Sequence, residues 1–369
     1  MLQEHTPFIL FANCIPVRGA RRSTICDLQR GLVHPIPNGL HEVVTAGRGR
    51  TLAELRAIYG PGSAEVLEEY FTFLLANDLG FWCADPSAYP DLDLSWDHPG
   101  RVSNAIVDVG TESDHDFGSL VRQLDALGCR ALQLRVFAPW PLGRLDAALG
   151  HTLGSRLRTI EVIFPWSAEW TAQEMSDLVF KHQRVSSMLV HSAPEGRTQE
   201  FRPGDTPVHY TPQVVDHHSH CGQVHVGYFA VTLGAFTEAR GANSCLNRKL
   251  SVDAHGEIRN CPSMPRSFGN AATVPLAAAL EADGFREHWG VSKDQVATCR
   301  DCEFRYVCTD CRAWLRDPAD ARSKPARCSY DPYTATWGAD PVPAAVVQLA
   351  ASAPAERVAR REPAVACVG

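Results

Sequence analysis

Seven cysteines between positions 245 and 328 constrain this 369-residue chain more than any other feature. Gly256 lies inside the first gap, five residues before the second cysteine, and four later cysteines form a Cys-x2-Cys-x5-Cys-x2-Cys run. The seven are Cys245, Cys261, Cys299, Cys302, Cys308, Cys311 and Cys328. Such spacing is typical of metal sites, because a two-residue gap lets a tight turn aim two sulfurs at one metal. We predict that this segment is held together by metal or cluster ligation.

Composition and charge narrow the class of protein. With 45% hydrophobic and 21% charged residues the chain resembles an ordinary globular protein. Its formal net charge of -7 argues against nucleic-acid and membrane-surface binding, which need a basic surplus. We found no run long enough to span a membrane and no signal-peptide pattern, so we expect a cytoplasmic protein. Thirteen cysteines in a reducing compartment are not expected to form disulfides. Five scattered ones are interpreted as small buried side chains, namely Cys14, Cys26, Cys83, Cys129 and Cys367.

Residues 1–85 are predicted to form an α+β module. FILFANCIPV, RRSTICDL and LVHPIP have strand composition, and TLAELRAIYG and SAEVLEEYFTFLLANDLG have helical periodicity, with Ser63 as an N-cap. GFWCA then forms a closing strand. This order is that of a winged-helix module, and the absence of a basic stripe disfavours DNA binding. Two interpretations remain, peptide recognition by strand addition and a structural cap without ligand.

Residues 86–100 are predicted to be a linker, and residues 101–215 a partial βα barrel. Four apolar runs, VSNAIVDVG, RALQLRVFA, RLRTIEVIF and VSSMLVHS, alternate with helical patterns, which indicates a parallel α/β sheet. About four units are too few for a closed eight-stranded barrel. The loop GTESDHDFG after the first run is polar and holds no cysteine. We interpret it as a solvated acidic loop. The alternative is a metal site at His115 and the nearby carboxylates.

Residues 216–337 contain the cysteine array. Ahead of it, VDHHSHCGQVHVGYFAV carries Cys221 beside His217, His218 and His225. We interpret His217 and His218 as surface residues and His225 as part of a strand, whereas Cys221 is either an additional ligand or not a ligand. KLSVDAHGEIRNCP is predicted to be a hairpin with Gly256 at positive φ, which would bring Cys245 and Cys261 together. Residues 338–369, rich in alanine and proline, are predicted to be a flexible tail with one short helix around 346–351.

The cysteine pattern closely resembles the SPASM domain of radical S-adenosylmethionine peptide-modifying enzymes. The resemblance implies two auxiliary [4Fe-4S] clusters. Carried over by motif position, the first would be held by Cys245, Cys261 and Cys311, with Cys221 as the candidate fourth ligand. The second would be held by Cys299, Cys302, Cys308 and Cys328. One departure is visible, since two residues separate Cys308 from Cys311 where the family usually has three.

A second departure concerns catalysis. Radical S-adenosylmethionine enzymes hold their catalytic cluster with Cys-x3-Cys-x2-Cys after the first barrel strand, and no such triplet occurs in this chain. Ordinary radical chemistry and S-adenosylmethionine binding are therefore not expected. FANCIPVRGARRSTICDLQRGLVHPIPN, DLGFW, LDLSWDHPGRVSNAI and CRDCEFRYVCTDCRA resemble signatures of the SPASM-domain peptide maturases of grasp-with-SPASM systems, over most of residues 8–337. That resemblance implies two partners, a precursor peptide and an ATP-grasp peptide ligase.

Three hypotheses follow from these observations. The first is an iron–sulfur protein that acts with the ligase in the maturation of a ribosomally synthesised peptide. Its N-terminal module would hold the leader of the precursor, and its clusters would shape the site for the core peptide or carry electrons. The second is a non-catalytic scaffold that presents the precursor to the ligase. The third is a zinc-binding structural protein, because Cys-x2-Cys pairs also bind zinc.

Overall fold

A computed structural model describes residues 2–202 and 204–338. The tail, with its expected helix around 346–351 and Cys367, lies outside the described residues apart from Gly338. The strands are β1 Phe8–Leu10, β2 Cys14–Val17, β3 Ser23–Asp27, β4 Leu32–Ile36, β5 Gly80–Trp82, β6 Asn104–Val109, β7 Ala131–Val136, β8 Thr159–Pro165, β9 Val185–His191, β10 Arg197–Gln199, β11 Val208–Tyr210, β12 Lys249–Val252, β13 Ile258–Arg259, β14 Tyr330–Asp331 and β15 Thr336–Trp337. The α-helices are α1 Asn38–Thr45, α2 Leu52–Tyr59, α3 Ala64–Ala76, α4 Phe117–Ala126, α5 Leu142–Gly150, α6 Ala172–Lys181, α7 Leu233–Gly241 and α8 Leu276–Glu281.

The N-terminal residues form the strands and the two helices that their patterns predict, and also helix α1, which no pattern indicated. β2, β3 and β4 make an antiparallel sheet, and β1 pairs with β5. The run FILFANCIPV is divided between β1 and β2 by a turn, in which the backbone N–H of Cys14 donates to the carbonyl of Phe11 at 2.9 Å. Phe8, Phe71 and Trp82 meet edge to face or tilted at about 5 Å in the core. The winged-helix comparison stays a prediction.

The expected N-cap at Ser63 is only half right. Ser63 stands at the N-cap position of α3, but its side chain caps no N–H of that helix. The reason is local, since a 3₁₀ turn over Pro61–Ser63 precedes the helix and the Ser63 hydroxyl donates to the carbonyl of Gly60 instead. α2, in contrast, begins with a capping box between Thr51 and Glu54.

The centre of the molecule is an eight-stranded sheet in the order β10-β11-β9-β8-β7-β6-β12-β13. Strands β6 to β9 are parallel, as their alternation with helices predicts. On one face alternate apolar residues such as Val107, Leu134 and Val162 pack against the helices in the main core. The other face carries Asp108, Arg135 and other polar side chains and looks toward the cysteine-rich segment. The α/β class is thus confirmed; closure into a partial barrel stays a prediction.

The cysteine-rich segment is continuous with this sheet. β12 adds in parallel to β6, and β12 and β13 form the predicted hairpin. Gly256 in its turn has φ +83°, as predicted. Leu276 and Leu280 of α8, and Phe285 after it, belong to the same main core as the sheet and its helices. None of the helices in the described ranges is long and apolar enough to cross a membrane.

Candidate thiolate sites

Four cysteines lie around one cavity of about 470 Å³ between the polar face of the sheet and the cysteine-rich segment. This first thiol group consists of Cys221, Cys245, Cys261 and Cys311. The end of the hairpin brings Cys245 and Cys261 together. The side chain of Asn260, next to Cys261, donates to the carbonyls of Leu246 and Lys249 at 3.0 and 2.8 Å. Arg327 holds the Cys221 segment through the carbonyls of Ser219 and Cys221. We call this space the first cavity.

The sheet supplies a polar floor to the first cavity. Arg135 binds the carboxylate of Asp108 through two hydrogen bonds of 2.6 and 2.7 Å, and both side chains are buried. The Gln133 amide donates to Glu161 at 2.8 Å. Burial raises the pKa of Glu161, while the Gln133 bond and the charge of Lys249 lower it.

Two features of the first cavity fit a bulky group held by the thiols. Gly222 has φ +94°, and a Cβ placed on it would lie 2.6 Å from Trp314 Cδ1 and 2.9 Å from Cys311 Sγ. The indole Nε1 of Trp314 is buried and has no hydrogen-bond partner within the described part of the chain. The absence of a side chain at Gly222 leaves space for a cluster beside Cys311, and the indole N–H of Trp314 is available to donate a hydrogen bond to it.

Lys249 places a positive charge among the first thiol group. Its Nζ lies 3.4 Å from Cys245 Sγ. Burial alone would lower the pKa of this ammonium, but the charges of Cys245, Cys261 and Cys221 outweigh burial and raise it. Burial raises the pKa of Cys261 and that of Cys311 to about 12, and Lys249 opposes the shift at Cys261. Metal binding would therefore have to displace protons from these thiols.

The other four cysteines of the array lie around a much smaller cavity of about 20 Å³. This second thiol group consists of Cys299, Cys302, Cys308 and Cys328. Buried Lys293 lies with its Nζ 3.5 Å from Cys308 Sγ and 3.7 Å from Asp310 Oδ1. Burial raises the pKa of Cys308 to about 12, opposed by Lys293. The cavity at the second thiol group is therefore too small for a side chain, whereas the first thiol group borders a space large enough for one.

A short buried connection joins the two thiol groups. The side chain of Asn243 accepts a hydrogen bond from the backbone N–H of Cys245 at 3.0 Å and donates to Asp310 at 2.8 Å. Asp310 in turn pairs with Arg312 and faces Lys293. The Cys-x2-Cys pair formed by Cys308 and Cys311 therefore contributes one sulfur to each group.

The two groups have the same membership as the two ligand sets that the resemblance implies, and ligation itself stays a prediction. In residues 2–202 and 204–338, no group of three or more histidine, cysteine, aspartate and glutamate side chains is arranged to hold a metal ion. Four of the scattered cysteines, Cys14, Cys26, Cys83 and Cys129, are buried as predicted. The acidic loop forms local bonds, with His115 to the carbonyl of Asp108 and Asp116 as the N-cap of α4.

Of the two histidines expected on the surface, His217 is exposed and His218 is half-buried. His218 contacts Ser263 at 3.1 Å, and His225 accepts from the backbone of Gly227. His225 precedes a 3₁₀ turn instead of lying in the expected strand. His217 and His220 line the first cavity, and His220 pairs with Asp216 at 3.1 Å.

Several residues around the thiols were missed from the sequence. No sequence pattern distinguishes Lys249 and Lys293, although each stands within fifteen positions of a cysteine that it contacts. Asp108 and Arg135 were included in apolar runs. A charged residue inside each of two successive buried strands was the available signal, because two such residues pair when the strands are neighbours.

The N-terminal sheet packs directly against the second thiol group. Wholly buried Glu303, next to Cys302, accepts hydrogen bonds from Arg22 at 2.8 Å and from the hydroxyl of Tyr330. Thr24 donates to the carbonyl of Glu303 at 3.0 Å. This network connects β3 and the loop before it to the Cys-x2-Cys-x5-Cys-x2-Cys run.

Tyr330→Phe is expected to lower the free energy of unfolding by about 1.5–3 kcal/mol, because it removes a buried hydrogen bond to a charged carboxylate. Urea unfolding of the variant and the parent protein measures the change. Tyr333→Phe is the matched control, since its hydroxyl binds Asp301 at 2.7 Å on the exposed side of the same segment. Equal midpoints for the two variants would contradict a structural role of the Glu303 network.

Comparisons with known proteins give little further support. No model of a known protein family matches the chain, and no curated protein matches it either. Among solved structures, the chain is similar to the crystal structure of Streptococcus suis SuiB bound to S-adenosylmethionine, at 8% sequence identity and a TM-score of 0.32. The alignment covers 88% of this chain and 98% of the SuiB chain. A likeness at this level carries no argument about function.

Proposed function

We propose that this chain is an iron–sulfur protein that acts in the maturation of a ribosomally synthesised peptide. The observation that carries the proposal is the division of eight cysteines into two groups of four, each with one lysine against a sulfur. The resemblance of the array to SPASM domains supports iron–sulfur clusters over single metal ions. A cluster bound by either thiol group would supply one-electron transfer.

The first cavity would be the site for the peptide. Its floor offers the carboxylate of Glu161 and the amide of Gln133 to a polar group, and Ile163, Leu189 and Val215 form an apolar patch beside them. A side chain that enters the cavity would come within reach of the first thiol group and would displace water from the apolar patch.

The partners follow from the sequence resemblance. The N-terminal module would hold the leader of the precursor peptide, and an ATP-grasp ligase would act on the same precursor. The contact of Arg22 with Glu303 supports a coupled arrangement, because it joins the N-terminal sheet to the second thiol group.

Two measurements test the proposal. Protein purified without oxygen should be brown and should contain about eight iron atoms per chain, which fills two four-iron sites. A colourless protein with stoichiometric zinc would reject the clusters in favour of the zinc hypothesis.

Coexpression with the precursor and the ligase tests the reaction by mass spectrometry. The product should depend on this chain, should be lost in Cys261→Ser, and should persist in Cys129→Ser, which changes a buried cysteine outside both groups. If the ligase alone makes the same product at the same rate, the maturation role is wrong. A product that needs the chain but tolerates Cys261→Ser would identify a scaffold.

A further inference from the structure

The two thiol groups border cavities of different volume but share one arrangement. In each, a lysine ammonium lies against a single cysteine sulfur, Lys249 at 3.4 Å from Cys245 and Lys293 at 3.5 Å from Cys308. The two lysines come from unrelated places in the fold. Lys249 begins β12, whereas Lys293 begins a 3₁₀ turn before the Cys-x2-Cys run. Local sequence therefore does not explain the repetition.

Neither lysine has a carboxylate to itself. Lys249 forms no ion pair with a carboxylate of the described residues. Its charge opposes the rise in pKa that burial causes at Glu161 and Glu238, but these carboxylates accept hydrogen bonds from Gln133 and Asn247. The other cation of the cavity floor, Arg135, is paired with Asp108. Lys293 faces Asp310, but Asp310 also binds Arg312 and Asn243. Half-buried Lys249 and buried Lys293 therefore each face a sulfur without a carboxylate of their own, which is costly unless an anion is bound there.

Cysteines that bind a cluster would supply this anion as thiolates. A site with four cysteine ligands carries net negative charge, and reduction adds one more. An ammonium that donates to one ligand sulfur stabilises the reduced form most, because the attraction grows with the charge of the site.

We propose that Lys249 and Lys293 are positioning residues that balance the charge of the two thiolate sites, one lysine for each site, and raise the reduction potential of that site. The inference rests on the proposed function, since it needs a cluster at each thiol group. It adds an assignment that the cysteine pattern does not contain. Neither lysine is a ligand, and each acts through the sulfur that it contacts.

The test uses the full chain with Lys249→Met, Lys293→Met and the conservative variants Lys249→Arg and Lys293→Arg. In potentiometric titrations followed by electron paramagnetic resonance, each methionine variant should lower the potential of one site and leave the other unchanged. The arginine variants should keep most of the parent potential, because they keep the positive charge. Lys181→Met is the control, since Lys181 pairs with Asp146 on the surface.

Cobalt binding by the apoprotein gives an independent readout. Co²⁺ affinity at the affected group should fall about 10- to 100-fold in each methionine variant, as for other residues that support metal ligands. If a methionine variant does not fold, Lys249→Gln or Lys293→Gln replaces it as the variant without the charge. Unchanged potentials and unchanged Co²⁺ affinity in folded variants would overturn the inference, as would equal shifts at both sites. If the parent protein binds neither clusters nor Co²⁺ through thiolates, the proposed function itself has failed.

Discussion

Gly222→Ala is expected to abolish cluster binding at the first thiol group and to leave the second intact. The added Cβ would lie 2.6 Å from Trp314 Cδ1 and 2.9 Å from Cys311 Sγ, closer than side-chain atoms normally approach. The backbone at Gly222 also has φ +94°, which costs a residue with a side chain about 1–3 kcal/mol. Neither the sulfur nor the indole can yield without moving the wall of the first cavity.

The expected readout is a fall in iron content by about half, since each four-iron site takes four cysteines. Iron and sulfide analysis of anaerobically purified protein measures it, and circular dichroism confirms that the variant is folded. Gly234→Ala in α7 is the matched control, because a Cβ there meets nothing within 4 Å. A folded Gly222→Ala protein with the iron content of the parent would show that the first thiol group is not a cluster site.

The strands and helices were predictable from the sequence wherever apolar residues recur at a regular spacing. The four parallel strands and the helices between them follow from alternation, and the hairpin around Gly256 follows from its turn residues. The attachment of β12 to β6 was not predictable. It depends on a contact between residues about 145 positions apart, and β12 alone has no feature that selects β6 over another partner.

The candidate sites were predictable only in their cysteines. Spacing identifies Cys299, Cys302 and Cys308 because a short loop fixes their sulfurs near one another. The charges around them come from other parts of the chain, and a lysine such as Lys293 has the same composition signal as a surface lysine. Lys293 matters because it is buried beside a cysteine sulfur, and the sequence around a single polar residue does not show that the residue is buried.

Arg135→Met is expected to destabilise the protein by about 3–5 kcal/mol, because it leaves the buried carboxylate of Asp108 without its partner. In the parent protein burial raises the pKa of Asp108, and the charge and hydrogen bonds of Arg135 oppose that shift. Without Arg135 the pKa of Asp108 rises further above its unfolded value. The folded state then binds a proton that the unfolded state has lost, so stability falls as the pH rises through that window.

Urea unfolding of Arg135→Met at pH 5 and pH 8 should therefore show the larger loss at pH 8. Adding Asp108→Leu should recover most of the stability, since an apolar pair in place of a buried ion pair is often neutral or stabilising. Arg101→Met is the control, because the Arg101–Glu281 pair is about half exposed and should leave the midpoint nearly unchanged. A double variant no more stable than Arg135→Met would contradict this explanation. It would show that Arg135 stabilises the protein through packing or through the thiol group it faces, and not by balancing the charge of Asp108 alone.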